Sequence, residues 1–250
     1  MQRYFGIDKI NNNLILSSGD IYHIKKVMRN SILDKIEVVY DNVTYLCEIE
    51  SLDNFKINIL EEIREDKKLD CDIILGVALI KEQKQDLVLQ KATELGVDTI
   101  VPINMERCVV KLDDKKFLKK KERWQSICKE ASEQSKRNTI PKILDIKNID
   151  ELGSIDCDNK IVLSTKKNKK LLNNYLQNKL SCAKIFIVVG PEGGITDKEE
   201  EYLNEIGFES ISLGSRIMRA ETASIYITSI INYLFMRWAN ETNWIFFKFL

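Results

Sequence analysis

The chain has 250 residues, of which 44% are hydrophobic, so it can fold around a large core in one or two domains. Its 38 basic residues balance its 38 acidic residues, which excludes overall charge as an argument for nucleic-acid binding and leaves only local patches. Widely spaced cysteines and a single histidine, His23, exclude the usual zinc spacings and multi-histidine metal sites, so we predict no metal.

The first part of the chain has the pattern of short, alternating strands. Four runs, separated by turn residues, carry it: NLIL, KIEVVY, TYLCEIE and FKINIL. A helical interruption is expected where Ile21, Ile24 and Met28 recur at helical spacing. We therefore predict a small β-barrel domain over residues 1–68, with the charged run EEIREDKKLD as the linker.

From Cys71 onward, apolar runs alternate with amphipathic helices. The predicted strands are IILGVAL, TIVPI, KILDI, KIVLS, KIFIVV and SISL, and the predicted helices cover residues 83–95, 115–135, 169–177, 197–206 and 221–237. This alternation predicts an α/β domain over residues 69–250, with a mainly parallel sheet covered by helices.

A glycine loop, residues 190–194 (GPEGG), follows the predicted strand KIFIVV, and Thr196 and Glu199 after it form a capping-box signature. Because ligands in open α/β sheets bind at the carboxyl ends of strands, a ligand is expected here. The spacing matches neither the P-loop nor the dinucleotide fingerprint. Glu192 would repel phosphate, so a neutral or cationic ligand fits better. The alternative is a tight turn with an exposed glutamate.

A second loop, residues 214–219, follows SISL and precedes the last predicted helix. Here Arg216 and Arg219 flank Ile217 and Met218, an arrangement that suits a flat ring with an arginine reaching an anion. Solvated loop arginines are the alternative reading. Because the two loops follow strands that are close in sequence, we predict that they share a pocket.

The N-terminus MQRYFGIDKI lacks the apolar core of a signal peptide, and no apolar run approaches the roughly 18 residues that span a bilayer. We therefore expect a cytoplasmic protein with no membrane partner.

The two loops in context, VVGPEGGITDKEE and GFESISLGSRIMRAETA, resemble the ribosomal RNA small-subunit methyltransferase E family. DLVLQKATELGVDTIVPINMERCVV, KERWQSICKEASEQSKRNTIPKI and HIKKVMRNSILDKIEVV are similar to further blocks of that family, in its order. Ser215 stands where a proline is common, and Leu33 stands where a glycine often precedes the aspartate. The aromatic tail NWIFFKFL has no counterpart that we recognise.

The resemblance implies methylation of N3 of a uridine in 16S rRNA, within the small ribosomal subunit, with S-adenosyl-L-methionine as cofactor. It also implies a C-terminal SPOUT domain with a trefoil knot, an N-terminal PUA-like RNA-binding barrel, and a homodimer formed through the last helix.

Site residues follow from the same resemblance, position by position. The implied catalytic residues are Arg219, Glu192 and Glu221. The implied cofactor-binding residues are Leu163, Ser164, Thr165, Gly190, Glu192, Gly193, Leu213, Gly214, Ile217, Met218, Arg219, Thr222 and Ala223. The implied RNA-binding residues are Arg3, His23, Arg29, Lys91, Glu94, Arg107, Gln134 and Arg137.

Two other functions stay open at this point. One is a SPOUT methyltransferase that acts on another RNA base or on a ribose 2′-hydroxyl. The other is a non-catalytic RNA-binding or ribosome-assembly protein that keeps a relic pocket.

Overall fold

The computed structural model describes residues 1–64, 68–166, 169–178 and 183–236, and its contacts divide the chain into two compact units. The first unit comprises Met1–Lys67 and Glu130–Ile140, and the second comprises Lys68–Lys129 and Pro141–Leu250. The aromatic tail, Cys182, Arg237 and the middle of the predicted linker lie outside the described residues. The strand and helix pattern gives no sign that residues 130–140 join the first unit.

The first unit contains a five-stranded sheet with the order β2-β1-β3-β4-β5. The first and third strands pair in parallel, the other neighbours pair antiparallel, and the two edge strands also come into contact. Alternate side chains of these strands form a shared apolar core. The strands are β1 (Arg3–Ile10), β2 (Asn13–Leu16), β3 (Lys35–Tyr40), β4 (Val43–Ser51) and β5 (Lys56–Ile63).

Strands β2 to β5 confirm the four predicted runs, whereas β1 was not predicted. The expected helical interruption is present as α1 (Ser18–Tyr22) followed by a π-helical turn, His23–Val27. Because that turn departs from the α-helical period, Ile24 is buried while Met28 is exposed. Leu33 adopts a left-handed conformation with φ of 73°, which explains why glycine suits this position.

The second unit contains an eight-stranded sheet in which every pairing is parallel. Its order is β11-β13-β10-β12-β6-β7-β8, with β9 also paired to β7. The prediction of an α/β fold with a mainly parallel sheet is confirmed. The strands are β6 (Asp72–Ala78), β7 (Thr99–Asn104), β8 (Lys142–Ile143), β9 (Lys147–Asn148), β10 (Asn159–Leu163), β11 (Lys170–Leu171), β12 (Lys184–Val189) and β13 (Glu209–Ser212).

Helices of the second unit pack against this sheet and against one another, and the last helix contacts β6, β12 and α2. The side-chain amide of Asn232 donates to the carbonyl of Leu95 at 3.1 Å, which fixes the last helix to the end of α2. The helices are α2 (Glu82–Glu94), α3 (Asp114–Gln134), whose last turn belongs to the first unit, α4 (Leu172–Asn178), α5 (Asp197–Glu205) and α6 (Ala220–Phe235).

Predicted and observed elements differ mainly where a segment is short. The run KILDI forms only a two-residue strand, and the helix expected over 169–177 begins as β11. A 3-10 helix, Ile149–Ser154, was not predicted; the carboxylate of Glu151 accepts the backbone N–H of Asn148 at its start, at 2.8 Å. Within the described ranges, none of the helices combines the length and apolar composition that crossing a membrane requires.

Candidate active site

Three segments of the second unit line one pocket. Strands β13, β10 and β12 are neighbours in the parallel sheet, so their carboxyl ends meet at the same edge. The segments that follow them form the pocket wall. Of the predicted cofactor-binding residues, those on the wall are Leu163, Ser164, Thr165, Gly190, Leu213, Gly214, Ile217, Met218 and Ala223.

The other predicted cofactor-binding residues do not line this pocket. Glu192 and Gly193 lie in the same glycine loop, and Arg219 lies at the start of α6. Thr222 faces a different groove, between α4 and α6. The structure therefore gathers all three segments that carry predicted cofactor-binding residues, but not every predicted residue, around one cavity.

Close packing fixes the glycine loop. A Cβ on Gly190 would lie 2.5 Å from Cγ1 of Ile195, and Gly194 has φ of 75°, so side chains are excluded at both positions. The backbone N–H of Gly194 donates to the carbonyl of Pro191 at 2.9 Å and closes a turn. Arg107 donates from Nη1 to the carbonyl of Gly193 at 3.1 Å, which holds the loop from outside.

The predicted capping box at the start of α5 is confirmed. The carboxylate of Glu199 accepts the backbone N–H of Thr196 at 2.9 Å, and the Thr196 hydroxyl accepts the backbone N–H of Glu199 at 3.3 Å. The same carboxylate also accepts the backbone N–H of Glu106 at 2.7 Å, from the segment after β7. The glycine loop is thus connected to a rigid helix start.

Glu200 lines the pocket and was not predicted. Its side chain is only 3% exposed and forms ion pairs with Nζ of Lys166 at 2.8 Å and with Nζ of Lys169 at 3.2 Å. Burial acts to raise the pKa of Glu200, but hydrogen bonds from Lys166, Ser210, Ser164 and Lys169 outweigh it and lower the pKa to about 2. In the acidic run KEEE, nothing distinguishes this glutamate from its exposed neighbours.

Lys84 lies between the two glutamates predicted to be catalytic, and it too was not predicted. Its Nζ lies 3.2 Å from Oε1 of Glu192 and 3.7 Å from Oε2 of Glu221. Burial acts to raise the pKa of Glu192, but hydrogen bonds from its own backbone N–H and from Lys84 outweigh it and lower the pKa. The side chain of Arg219 is exposed and forms no hydrogen bond or ion pair within the part of the chain that the structure describes.

The three RNA-binding candidates nearest the N-terminus have different environments. Arg3 is only 1% exposed, and its guanidinium donates to Glu37 at 2.8 Å, to the Lys136 carbonyl at 2.5 Å and to Asn138 at 2.8 Å. The structure thus places this side chain in the interior, contrary to the expectation of an RNA-facing arginine, because its donors satisfy buried acceptors.

His23 is half-buried, and its Nδ1 shares a hydrogen bond with the Tyr4 hydroxyl at 3.0 Å. Burial, followed by the charges of Glu133 and Asp20, raises the pKa of Tyr4 to about 12, so the phenol stays protonated. Arg29 is exposed, in a left-handed conformation with φ of 54°. Of the three candidates, Arg29 alone has an exposed side chain.

Among the remaining RNA-binding candidates, Lys91 and Glu94 share a face of α2 and form an ion pair at 2.8 Å. Gln134 is exposed at the end of α3. Arg137 does not share a helical face with Gln134, because the helix ends at Gln134 and Lys136 turns into the left-handed region with φ of 61°. The backbone N–H of Arg137 donates to the carbonyl of Ser132 at 2.9 Å, a typical helix-ending bond.

Metal ligands are not assembled in the described part of the chain, where no group of three or more His, Cys, Asp and Glu side chains could hold an ion. The cysteines described there are free, and four of the five are buried.

Comparison with known proteins extends over both units. A protein-family model for an RNA methyltransferase domain matches residues 67–232. The chain is 34% identical over 248 residues to the ribosomal RNA small subunit methyltransferase E of Bacillus subtilis (strain 168), covering 93% of this chain and 96% of that protein.

Two solved structures are similar over the same extent. One is a ribosomal RNA small subunit methyltransferase E from Neisseria gonorrhoeae bound to S-adenosyl methionine, with a TM-score of 0.85, 29% identity, and coverage of 94% of this chain and 98% of that one. The other is a protein from Legionella pneumophila in complex with the bound cofactor SAM, with a TM-score of 0.86, 28% identity, and coverage of 93% and 97%.

Proposed function

Because the chain belongs to the ribosomal RNA small subunit methyltransferase E family, we propose that it methylates N3 of a uridine in 16S rRNA, with S-adenosyl-L-methionine as methyl donor. The observation that carries this proposal is the pocket that three loops form at the carboxyl ends of β10, β12 and β13.

The pocket fits this donor better than it fits a nucleoside phosphate. Leu163, Leu213, Ile217 and Met218 give it apolar walls suited to a flat ring, and Ile217 is 82% exposed at its edge. Lys166 and Arg216 also line it; the charge of Lys166 is matched by Asp197 at 2.5 Å and by Glu200 at 2.8 Å, so this lysine has little attraction left for a polyphosphate. When bound there, S-adenosylmethionine would supply an electrophilic methyl group for transfer to N3.

Within this proposal the chain performs two tasks at the uracil. One is removal of the N3 proton, for which Glu192 or Glu221 is the acceptor, since both carboxylates lie beside Lys84. The other is stabilisation of the negative charge that deprotonation leaves on the ring oxygens. Arg219 serves this role, because its side chain is exposed and unpaired among the described residues.

For the rest of the molecule we propose what the family implies. The first unit is a PUA-like RNA-binding barrel, with Arg29, Lys25 and Lys26 on its basic strip, and the second unit carries the trefoil knot of the SPOUT class. Lys91, Arg107 and Arg137 contact phosphates of the substrate.

A homodimer is the proposed assembly. The groove between α4 and α6 has a volume of about 700 Å³ and is lined mainly by apolar side chains, among them Leu176, Ile225, Tyr226, Ile230 and Tyr233. Two tyrosines of this groove, Tyr226 and Tyr233, are exposed in the single chain. A monomeric mass by light scattering at micromolar concentration would contradict the homodimer.

The deciding experiment is methylation of naked 16S rRNA and of 30S subunits with labelled donor, followed by nucleoside mass spectrometry. N3-methyluridine as the product is the expected result. Another methylated base or a 2′-O-methylated ribose as the product would instead support a SPOUT methyltransferase that acts on another RNA base or on a ribose 2′-hydroxyl. Absence of S-adenosylmethionine binding by calorimetry would instead support a non-catalytic RNA-binding protein.

A further inference from the structure

One ammonium group joins three separate segments beside the pocket. Lys84 belongs to the first turn of α2, Glu192 to the glycine loop after β12, and Glu221 to the first turn of α6. The lysine Nζ lies 3.2 Å from the first carboxylate and 3.7 Å from the second. No other cation among the described residues has an ion pair with either of these glutamates.

All three side chains are largely shielded from solvent. The exposed fraction is 28% for Lys84, 25% for Glu192 and 12% for Glu221. Oε2 of Glu221 is fully buried and accepts no hydrogen bond, so the ammonium at 3.7 Å is its nearest charged partner. Partial burial strengthens such an attraction relative to a surface pair, because less water screens it.

Without the lysine, Glu192 and Glu221 would both lose the ammonium group that lies within 4 Å of each of them. A carboxylate that loses a nearby cation is protonated more easily and is then less available as a base. The other titratable or charged groups near Glu192 are Arg107, which holds the neighbouring Gly193, and Cys108. Burial is the largest effect that raises the pKa of the Cys108 thiol, so this cysteine stays neutral and supplies no compensating charge.

We propose that Lys84 is a positioning residue for methyl transfer, which joins the glycine loop to the start of α6 and holds the carboxylates of Glu192 and Glu221 beside the pocket. The inference deepens the proposed function and rests on it. In chemical terms, the N3 proton of uridine passes to one of the two carboxylates, and the lysine keeps its own protons throughout. The lysine therefore acts through the glutamates and does not itself contact the reacting atoms.

The test compares Lys84→Met, Lys84→Arg and the control Lys120→Met in the full-length protein. Lys120 is a matched control because its side chain is also 28% exposed and also forms an ion pair, at 3.3 Å, with Glu82, away from the pocket. We expect Lys84→Met to lower kcat at least about tenfold, since a misplaced or protonated base loses part of the usual effect of general-base catalysis. Lys84→Arg should recover most of kcat, and Lys120→Met should match the wild type.

Two further readouts separate positioning from general damage. The acidic limb of the pH dependence of kcat/KM should move to higher pH in Lys84→Met, because one carboxylate then protonates more easily. The affinity for S-adenosylmethionine, measured by calorimetry, should stay within about threefold of the wild type, a change of less than about 0.7 kcal/mol.

The inference is overturned if Lys84→Met keeps the wild-type kcat and pH profile, or if Lys84→Arg is no better than Lys84→Met. Should the methionine variant not fold, Lys84→Gln is measured in the same way. Titration of the glutamate carboxyl groups by NMR, with Glu192→Gln and Glu221→Gln for assignment, tests the effect of the lysine charge on these carboxylates and requires no catalytic activity. If the two glutamates titrated in Lys84→Met as they do in the wild type, the inference about Lys84 would be overturned. This result does not depend on methyl transfer, so it is distinct from a failure of the proposed function.

Discussion

Replacing the buried glutamate of the pocket, Glu200→Gln, tests how far one charge stabilises this edge of the sheet. Glutamine keeps the shape of the side chain but removes the negative charge that Lys166 and Lys169 surround. The pKa of Glu200 falls from its ordinary 4.5 to about 2 in the folded protein, because hydrogen bonds outweigh the opposing effect of burial. The folded state therefore favours the ionised form more than the unfolded state does.

The size of the effect follows from that difference in pKa. A fall from 4.5 to about 2 corresponds to about 3 kcal/mol of unfolding free energy, at about 1.4 kcal/mol for each pH unit. The two lysines are about one-third exposed, so water screens part of the attraction, and we expect about 2 kcal/mol. Because the folded pKa is the lower one, this stabilisation is complete above about pH 4.5 and is lost as the pH falls from there toward 2.

Urea unfolding of the wild type and Glu200→Gln at intervals from pH 7 to pH 3 measures the difference directly. The gap in unfolding free energy should be constant down to about pH 5 and should narrow below it. Glu201→Gln is the matched control, since Glu201 is the next residue of α5 but is exposed, and its effect should stay within about 0.5 kcal/mol. A gap that stays the same from pH 7 to pH 3 would refute the reasoning, because the loss would then come from packing and not from charge.

Four more outcomes follow from the structure. Gly190→Ala places a Cβ 2.5 Å from Cγ1 of Ile195 and should weaken S-adenosylmethionine binding about tenfold, as measured by calorimetry. The double variant Gly190→Ala/Ile195→Ala should recover this affinity, and absence of recovery would exclude the clash as the cause. Arg3→Met removes the buried guanidinium that donates to Glu37 and to the Lys136 carbonyl, and it should lower the unfolding free energy by about 3 kcal/mol in urea, whereas a loss under about 1 kcal/mol would contradict the interior role. Leu33→Gly removes the backbone strain of a leucine in the left-handed region, so it should stabilise the protein by about 1 kcal/mol and raise the urea concentration at the unfolding midpoint. A lower midpoint would argue against strain at this position. Arg137→Ala should reduce the slope of log affinity for 16S rRNA against log salt by about one, and an unchanged slope would remove Arg137 from the phosphate contacts.

Local patterns predicted the elements whose determinants lie within a few residues. The run KIFIVV is continuously apolar because β12 is buried between parallel neighbours, and its predicted bounds agree with the observed strand. Gly96 and Gly207, with φ of 92° and 95°, follow the ends of α2 and α5 because both positions require the left-handed region. The capping box of Thr196 was readable for the same local reason.

Features that depend on distant partners were not readable from the sequence. Strand β1 mixes Gly6 and Asp8 with apolar residues, and it exists because it pairs in parallel with β3, which periodicity does not reveal. The glycines and the family resemblance were enough to predict the three pocket loops. They did not identify Lys84 or Glu200 as residues of the site. Their importance lies in carboxylates and ammonium groups that come from other segments of the chain.

The segment that joins the first unit from far along the chain has a consequence for how the protein is made. The buried guanidinium of Arg3 has all its acceptors only after the Lys136 carbonyl, 133 residues later in the chain, has been synthesised. At a translation rate of 5–20 residues per second, that interval lasts roughly 7 to 27 seconds, and β6, α2 and β7 leave the ribosome during it. The strands that are synthesised first are therefore completed late, and a fragment cut after residue 68 would never obtain the partners that close its interior.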